Sequence, residues 1–512
     1  MAHCRRSGDS PPSPVMAATP YQQLEQEFRR LYALRSAAGI LRWDAATMMP
    51  RGSVELRGDQ LAALETESHA LLAAPRIPRL LDRAAASITG LDEWQQSNLK
   101  RMRREYDHAI AVPNTLLSRL AKATSTAEQR WREARSNSDF KLFAPHLEDV
   151  VHLVRDRAHL LGQALRLAPY DALVDSFTPG LTSNEIDRIF TALSQRLPEL
   201  IRQSIDAQAQ LEVLPVDAKV SNSKQRALAV ELMKALGFSF EQGRLDESDH
   251  PFTGGAPGDV RITTRFMPQD VLSGLMAVVH ETGHARYEQG LPVAWRMQPA
   301  GTSAGMAVHE SQSLLLEMFI GRSRPFLQYL QPLLAKNLGV TGPEWQAENL
   351  YRVLTRVQRG MIRVDADELT YPVHIMLRYE LERQLLEGEL RVKDLPEAWN
   401  QGMASRLGAH PANDAEGCLQ DIHWSLGAFG YFPSYAIGAV IAAQLLEKLR
   451  ADLPGLDEQI AGGEFAPLFA WLNENIYSAA ATLDGSQLVK QVTGRALSAA
   501  PWLRYAESKY LA

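Results

Sequence analysis

Residues 277–290 read AVVHETGHARYEQG, and how this stretch folds settles what the rest of the chain must be built around. Within the longer run MPQDVLSGLMAVVHETGHARYE (residues 267–288) the spacing is helical, with Asp270 as a cap near the start. On a helix, i and i+4 share a face, so His280 and His284 point the same way one turn apart. Neutral imidazoles so placed can hold one Zn²⁺ at about 2.0–2.1 Å. Glu281 is rotated off the ligand row but stays near the open coordination position. There it can act as base toward water, whose pKa a bound metal lowers to about 7. Gly283 costs about 1 kcal/mol relative to Ala in a helix, so close packing or substrate approach requires its missing side chain.

A third ligand is expected downstream on another helix. GMAVHESQSLLLEMF (residues 305–319) offers Glu310, with Leu314, Leu315, Met318 and Phe319 anchoring that helix in the core. His309 competes, but it faces about 100° away from Glu310 on the same helix. Two His, one Glu and an open fourth position form the hydrolytic zinc set.

Outward from this motif the helical period dominates. Leu24, Phe28, Leu31 and Leu34 form one stripe, and similar stripes run through Leu81, Leu153, Ile189, Leu350 and Leu377. One segment breaks the pattern. KVSNSKQ, FSFEQGRLDES and DVRITTRF, with HPFTGGAPG before the last, predict two or three short antiparallel strands just upstream of the HETGH helix. Such an edge can hold an extended peptide by strand addition, or it can be a structural hairpin only. In DVRITTRF, Asp259, Arg261 and Thr263 alternate onto one face, which predicts an internal Asp–Arg ion pair. There is no repeat and no low-complexity linker, so residues 21–512 are expected to form a single domain after a disordered Pro/Ser-rich extension, 1–20, in which Met16 offers a second start.

Composition is that of an ordinary globular chain: 45% hydrophobic, 22% charged, formal net charge −6. The mild acidity argues against a nucleic-acid partner, and the basic run LKRMRRE (residues 99–105) reads as a solvated helix face. With Cys4 in the extension and Cys418 far from it, no disulfide is expected, which points to a cytoplasmic protein. The longest apolar run, YAIGAVIAAQLL (residues 435–446), is too short to span a bilayer, which needs about 20 residues, so it reads as a buried helix.

These pieces together resemble the carboxypeptidase Taq family of zinc metallocarboxypeptidases. Besides HETGH and HES (309–311), the resemblance rests on DVRITTRF (259–266), IRVDADELTY (362–371), GCLQDIHW (417–424), WDAATMMP (43–50) and YDALVDSFTPG (170–180). It implies a mainly helical, all-α fold with a deep active-site groove and a small three-stranded sheet beside the metal. It also implies a homodimer, activity with Zn²⁺ or Co²⁺, and removal of single residues from peptide C-termini with broad preference, generally stopping at proline. Cys418, within GCLQDIHW, departs from the family pattern and would expose a thiol near the site.

A carboxypeptidase needs a cation for the substrate's free carboxylate, and the guanidinium fork suits it best. Arg352 and Arg363 are about three helical turns apart, so both are expected on one face; the family associates arginines at what look like these positions with that carboxylate. Their bland role is an ion pair with Asp365, Asp367 or other acids. The developing oxyanion needs a donor, for which His423 and Tyr435 are the candidates, with Tyr431 competing and packing as the alternative role. Gln420 and Asp421 are expected to support the site by hydrogen bonding.

Overall fold

The computed structural model describes residues 18–511. The first helix, Pro20–Thr47, begins inside the stretch expected to be disordered. Thr19 accepts from the Gln22 N–H, the Gln22 side chain returns the bond to the Thr19 N–H, and proline occupies the first turn, where its missing N–H costs nothing. The remainder of the expected extension lies outside the described residues. Among the described residues, twenty α-helices run from there to Ala500–Tyr510, and the stripe residues Leu24, Phe28, Leu31, Leu81, Leu153, Ile189, Leu350 and Leu377 are buried, with Leu34 half-buried. No described helix is long and apolar enough to cross a membrane. YAIGAVIAAQLL sits in the buried helix Pro433–Asp452.

The sheet is three-stranded, as expected, but mixed rather than purely antiparallel. Its order is β1 (Gly243–Glu247), β3 (Asp259–Thr264), β2 (Phe252–Ala256). β2 and β3 form an antiparallel hairpin with Phe252 opposite Thr263, turned at Gly258 in the left-handed region (φ +83). β1 pairs in parallel with β3, Gly243 opposite Val260. The correction follows from connectivity. β2 acts as the return leg, so the hairpin inserts β3 between β1 and β2 in the same direction as β1.

One face of the sheet carries Leu245, Val260 and Ile262, packed on Val278 and Ala285 of the motif helix Val271–Gly290 and on Ala229 and Met233. The other face meets the first helix, whose buried Trp43 ring is approached by the guanidinium groups of Arg244 (5.1 Å) and Arg261 (4.5 Å). Arg261 also forks onto Asp259, at 2.9 and 2.6 Å, as the alternation suggested. The motif helix is therefore backed by the sheet on one side.

On another side it packs against Met306–Leu314, a helix that widens into a π-helical turn over Leu315–Gly321. Gly283 explains the closeness. A Cβ there would stand 2.5 Å from the Gln312 carbonyl oxygen and 2.6 Å from Ser313 Cα, so helix packing, not substrate, demands the glycine. Gly438 plays the same part for Pro433–Asp452, where a Cβ would meet Glu310 Cβ at 2.9 Å.

Two surface expectations change. The basic run is not simply a solvated face: Arg101 is buried and donates to the Ala481 carbonyl and to Asp484, both at 2.7 Å, and Arg104 pairs with Asp175. Cys418 is buried, so it exposes no thiol.

Candidate metal centre and substrate groove

The motif helix is capped by Asp270, which accepts from the Ser273 N–H at 3.1 Å, and it carries His280, Glu281 and His284 to the floor of a groove of about 1260 Å³. Glu310 reaches the same point from the facing helix. One ligand atom from each of His280, His284 and Glu310 lies within 4.8 Å of the others. Donors around a tetrahedral ion with bonds of about 2.0–2.1 Å stand about 3.3 Å apart, and His284 Nε2 is 3.4 Å from Glu310 Oε2. Neutral nitrogen and anionic oxygen donors at this spacing fit a divalent cation. His309, the competing ligand, is outside the cluster, behind His284.

The electrostatics point the same way. Burial opposes charge on His280, yet its hydrogen bond to Glu317 and the charges of Glu310, Glu317 and Glu281 raise its pKa to about 10. A site that holds a proton so firmly offers strong negative potential to a metal ion. Glu317 is buried too, but Arg322 and the His280 contact hold its carboxyl down at about 2.

Glu281 is buried and fixed by Thr253 on β2, which meets Glu281 Oε2 at 2.7 Å and its carbonyl oxygen at 3.0 Å. Sequence reasoning placed a strand here but missed Thr253; the one signal was its place in the hairpin just before the HETGH helix.

The structure brings Arg363 to the groove and does not bring Arg352. The helix that holds Arg352 ends at Leu354, with the Thr355 hydroxyl bonded back to the Tyr351 carbonyl (2.7 Å), so no continuous helix joins the two arginines. Arg352 instead donates to Glu348 and the Glu212 carbonyl, outside the groove. Arg356, which sequence reasoning passed over, is exposed and lines the groove with Arg363.

Arg363 is paired with neither Asp365 nor Asp367. Its Nε donates to Asp421 at 2.9 Å, and its backbone N–H donates to Gln420 at 2.8 Å. Arg378 holds the far side of both acceptors, at 2.6 and 2.7 Å. Gln420 and Asp421 thus support the arginine, as expected of hydrogen-bonding groups, and the two cations hold the Asp421 carboxyl far below its usual range against the effect of burial.

Tyr435 and Tyr431 both line the groove, with ring centroids 5.2 Å apart. His423 does not line it. It sits behind Tyr435, with Nε2 3.2 Å from the phenol oxygen. Burial lowers its pKa to about 4 against the opposing charge of Asp421, with Arg363 and Arg378 acting in the same direction as burial, so the ring is neutral at pH 7. Burial raises the Tyr435 phenol to about 12, so it remains a donor.

A helical groove with two histidines and a carboxylate converging on its floor is the arrangement of a metallopeptidase, and comparison with known proteins narrows the class. Residues 23–510 match the model of the carboxypeptidase Taq (M32) metallopeptidases. The chain is 37% identical to thermostable carboxypeptidase 1 of Thermus thermophilus, covering 96% of this chain and 98% of that one. It is 34% identical to carboxypeptidase 1 of Bacillus subtilis, covering 95% and 98%. Among solved structures, Trypanosoma cruzi metallocarboxypeptidase 1 superposes with a TM-score of 0.94 at 39% identity, covering 96% of this chain and 99% of that one. The chain belongs to the carboxypeptidase Taq (M32) family and is a metallocarboxypeptidase.

Proposed function

We propose that the chain is a zinc-dependent carboxypeptidase that releases one residue at a time, with broad preference, from peptides bearing a free C-terminus. The observation that carries this reading is that Arg356 and Arg363 line the same groove as His280, His284 and Glu310. Guanidinium groups on the groove wall can bind the terminal carboxylate, and that anchor fixes which peptide bond reaches the floor. The apolar neighbours Val353, Leu354 and Met361 suit varied side chains. β2 is an edge strand whose Phe252 and Thr253 line the groove, which suits an extended peptide added as a further strand.

His280, His284 and Glu310 would hold the metal, and their donor set suits Zn²⁺, with Co²⁺ able to replace it. When bound, the ion supplies Lewis acidity toward water and the scissile carbonyl. Glu281 is the general base. Thr253 occupies Oε2, which leaves Oε1 to take the proton of the attacking water and pass it to the leaving amine. Tyr435 donates its phenolic proton to the developing oxyanion. His423 stands behind the same phenol with Nε2 3.2 Å from its oxygen; in the tautomer with the proton on Nε2 the ring would donate to that oxygen and turn the phenolic hydrogen toward the groove.

The test is a peptide ladder incubated with the metal-replete protein, read by mass, beside a chelator control and a C-terminally amidated copy of each peptide. Stepwise loss of single residues from the free peptides only, abolished by the chelator, is the expected outcome. Equal cleavage of the amidated copies would overturn the exopeptidase reading. Residues 21–512 are proposed to act as one unit, as a homodimer in the cytoplasm. The family resemblance supports the dimer, the low cysteine content supports the compartment, and sedimentation velocity checks the assembly.

A further inference from the structure

We propose that His309 and Glu288 form a hydrogen-bond relay that fixes the single proton of His284 on Nδ1 and so keeps its Nε2 lone pair aimed at the metal position. The proposal rests on the reading of His284 as a ligand.

The two rings meet nitrogen to nitrogen: His284 Nδ1 and His309 Nδ1 are 2.6 Å apart. Such a contact holds one proton, so one ring donates and the other accepts. The remaining contact of His309 decides which. Its Nε2 is 2.8 Å from Glu288 Oε1, and an ionised carboxylate can only accept. His309 therefore carries its proton on Nε2. His284 can serve as a ligand through Nε2 only with its one proton on Nδ1, and the form of His309 that accepts that proton is the neutral one with its single N–H on Nε2 toward Glu288 and a lone pair on Nδ1. His284 Nε2 is then bare, and it is this atom that lies 3.4 Å from Glu310 Oε2.

The reverse arrangement shows what Glu288 prevents. With His309 donating at Nδ1, His284 would carry its proton on Nε2 and hydrogen-bond Glu310 across the ligand position, closing it to a cation. Glu288 selects against that state by holding the His309 proton at the far nitrogen. Neither residue belongs to the metal cluster, and although the His309 ring borders the groove, both nitrogens of that ring are engaged by His284 and Glu288, so both residues are positioning residues acting through His284.

The architecture supports the relay from both sides. His284 and Glu288 sit one turn apart on the motif helix, while His309 precedes Glu310 on the facing helix. The His309 ring lies 5.5 Å from that of Tyr287, which is fully buried and whose phenol accepts from the Ala304 N–H at 3.0 Å. His280 is oriented by a different means: its Nδ1 meets Glu317 directly at 2.8 Å, without an intervening ring.

The experiment measures zinc affinity by competition with a chromophoric chelator, together with the melting temperature of each metal-free variant. His309→Phe removes the acceptor while keeping an aromatic ring and should bind zinc about 10- to 100-fold more weakly. His309→Asn should recover most of that loss, because its Oδ1 can accept from His284 Nδ1. Glu288→Gln should weaken binding several-fold, because its amide can also donate and no longer discriminates between the two proton arrangements. Wild-type zinc affinity in His309→Phe would overturn the relay, as would an Asn variant no better than Phe at matched metal-free stability. Should the Phe variant not fold, Glu288→Gln with unchanged affinity overturns it equally. His284→Ala separates the underlying reading: unchanged affinity there would show that His284 is no ligand, whereas loss there with no effect at His309 or Glu288 would refute the relay alone.

Discussion

Glu281 has one carboxylate oxygen committed to Thr253 and one without a partner among the described residues, and its side chain is buried at the groove floor. Glu281→Gln preserves shape and the Thr253 contact but removes basicity. It should retain metal, checked by elemental analysis, and lose roughly 100- to 10,000-fold in kcat; near-normal turnover with full metal would remove Glu281 from the mechanism. The arginines give a sharper contrast. Arg356→Ala should raise KM for free-carboxylate peptides about tenfold or more, as expected on losing a charge-assisted contact of about 1.5–3 kcal/mol, whereas Arg352→Ala should leave KM nearly unchanged. Equal effects would mean that Arg356 is not the anchor. This pair also shows where legibility stopped. The metal cluster was readable because a helix fixes His280 and His284 relative to each other within one turn. Arg352 and Arg363 were linked by the same logic across a segment that stops being helical at Thr355, and the inference failed there. Thr253, Glu288 and His423 contact partners 28, 21 and 12 positions away, which only tertiary packing brings together.

At the scale of elements, the site is a seam between two helices held unusually close by glycine. The spacing of Glu310 from His280 and His284 depends on that closeness, and Gly283 sets it against backbone atoms that cannot swing aside. Gly283→Ala should therefore destabilise by about 1–3 kcal/mol through overpacking, against a helix-propensity gain of about 1 kcal/mol, and weaken metal binding as the helices part. Gly58, in the second turn of the exposed helix Val54–Leu72 with open space around it, is the control: Gly58→Ala should raise the melting temperature. A Gly283→Ala protein with higher melting temperature and unchanged metal affinity would show that the seam is looser than drawn. Helix class and the presence of strands were legible here because periodicity is local. The parallel partner of β3 was not, because strand order depends on which side of the hairpin the earlier strand docks. The π-helical turn that presents Glu317 to His280 has no sequence signature beyond a run of apolar residues, and packing alone settles it.

At the scale of the molecule, the apolar core around Tyr21, Phe28, Leu81 and Met102 is a cluster separate from the large core beyond Val112. Beside the stacked rings of Trp94 and Trp295, a set of polar contacts joins the two regions. Asn98 bonds Gln298 and the Ala300 N–H, Arg101 holds Ala481 and Asp484, and Arg104 and His108 converge on Asp175. A polar joint makes the attachment pH-dependent. Burial acts against charge on Asp175, but the His108 hydrogen bond, the Arg104 charge and the Gly180 N–H prevail and hold its pKa at about 2, below the ordinary 3.8. Because the folded value is depressed, the stabilisation, about 2 kcal/mol by linkage, is fully present above pH 3.8 and fades as pH falls toward 2. Asp175→Asn removes the charge at every pH. Its melting temperature should lie below that of the parent chain by a constant margin from pH 7 to pH 5, and the margin should narrow by pH 3 as the parent loses the same interaction. A margin as wide at pH 3 as at pH 7 would mean that Asp175 contributes through packing rather than charge, and that the joint between the N-terminal helices and the body of the enzyme does not yield to acid at this point.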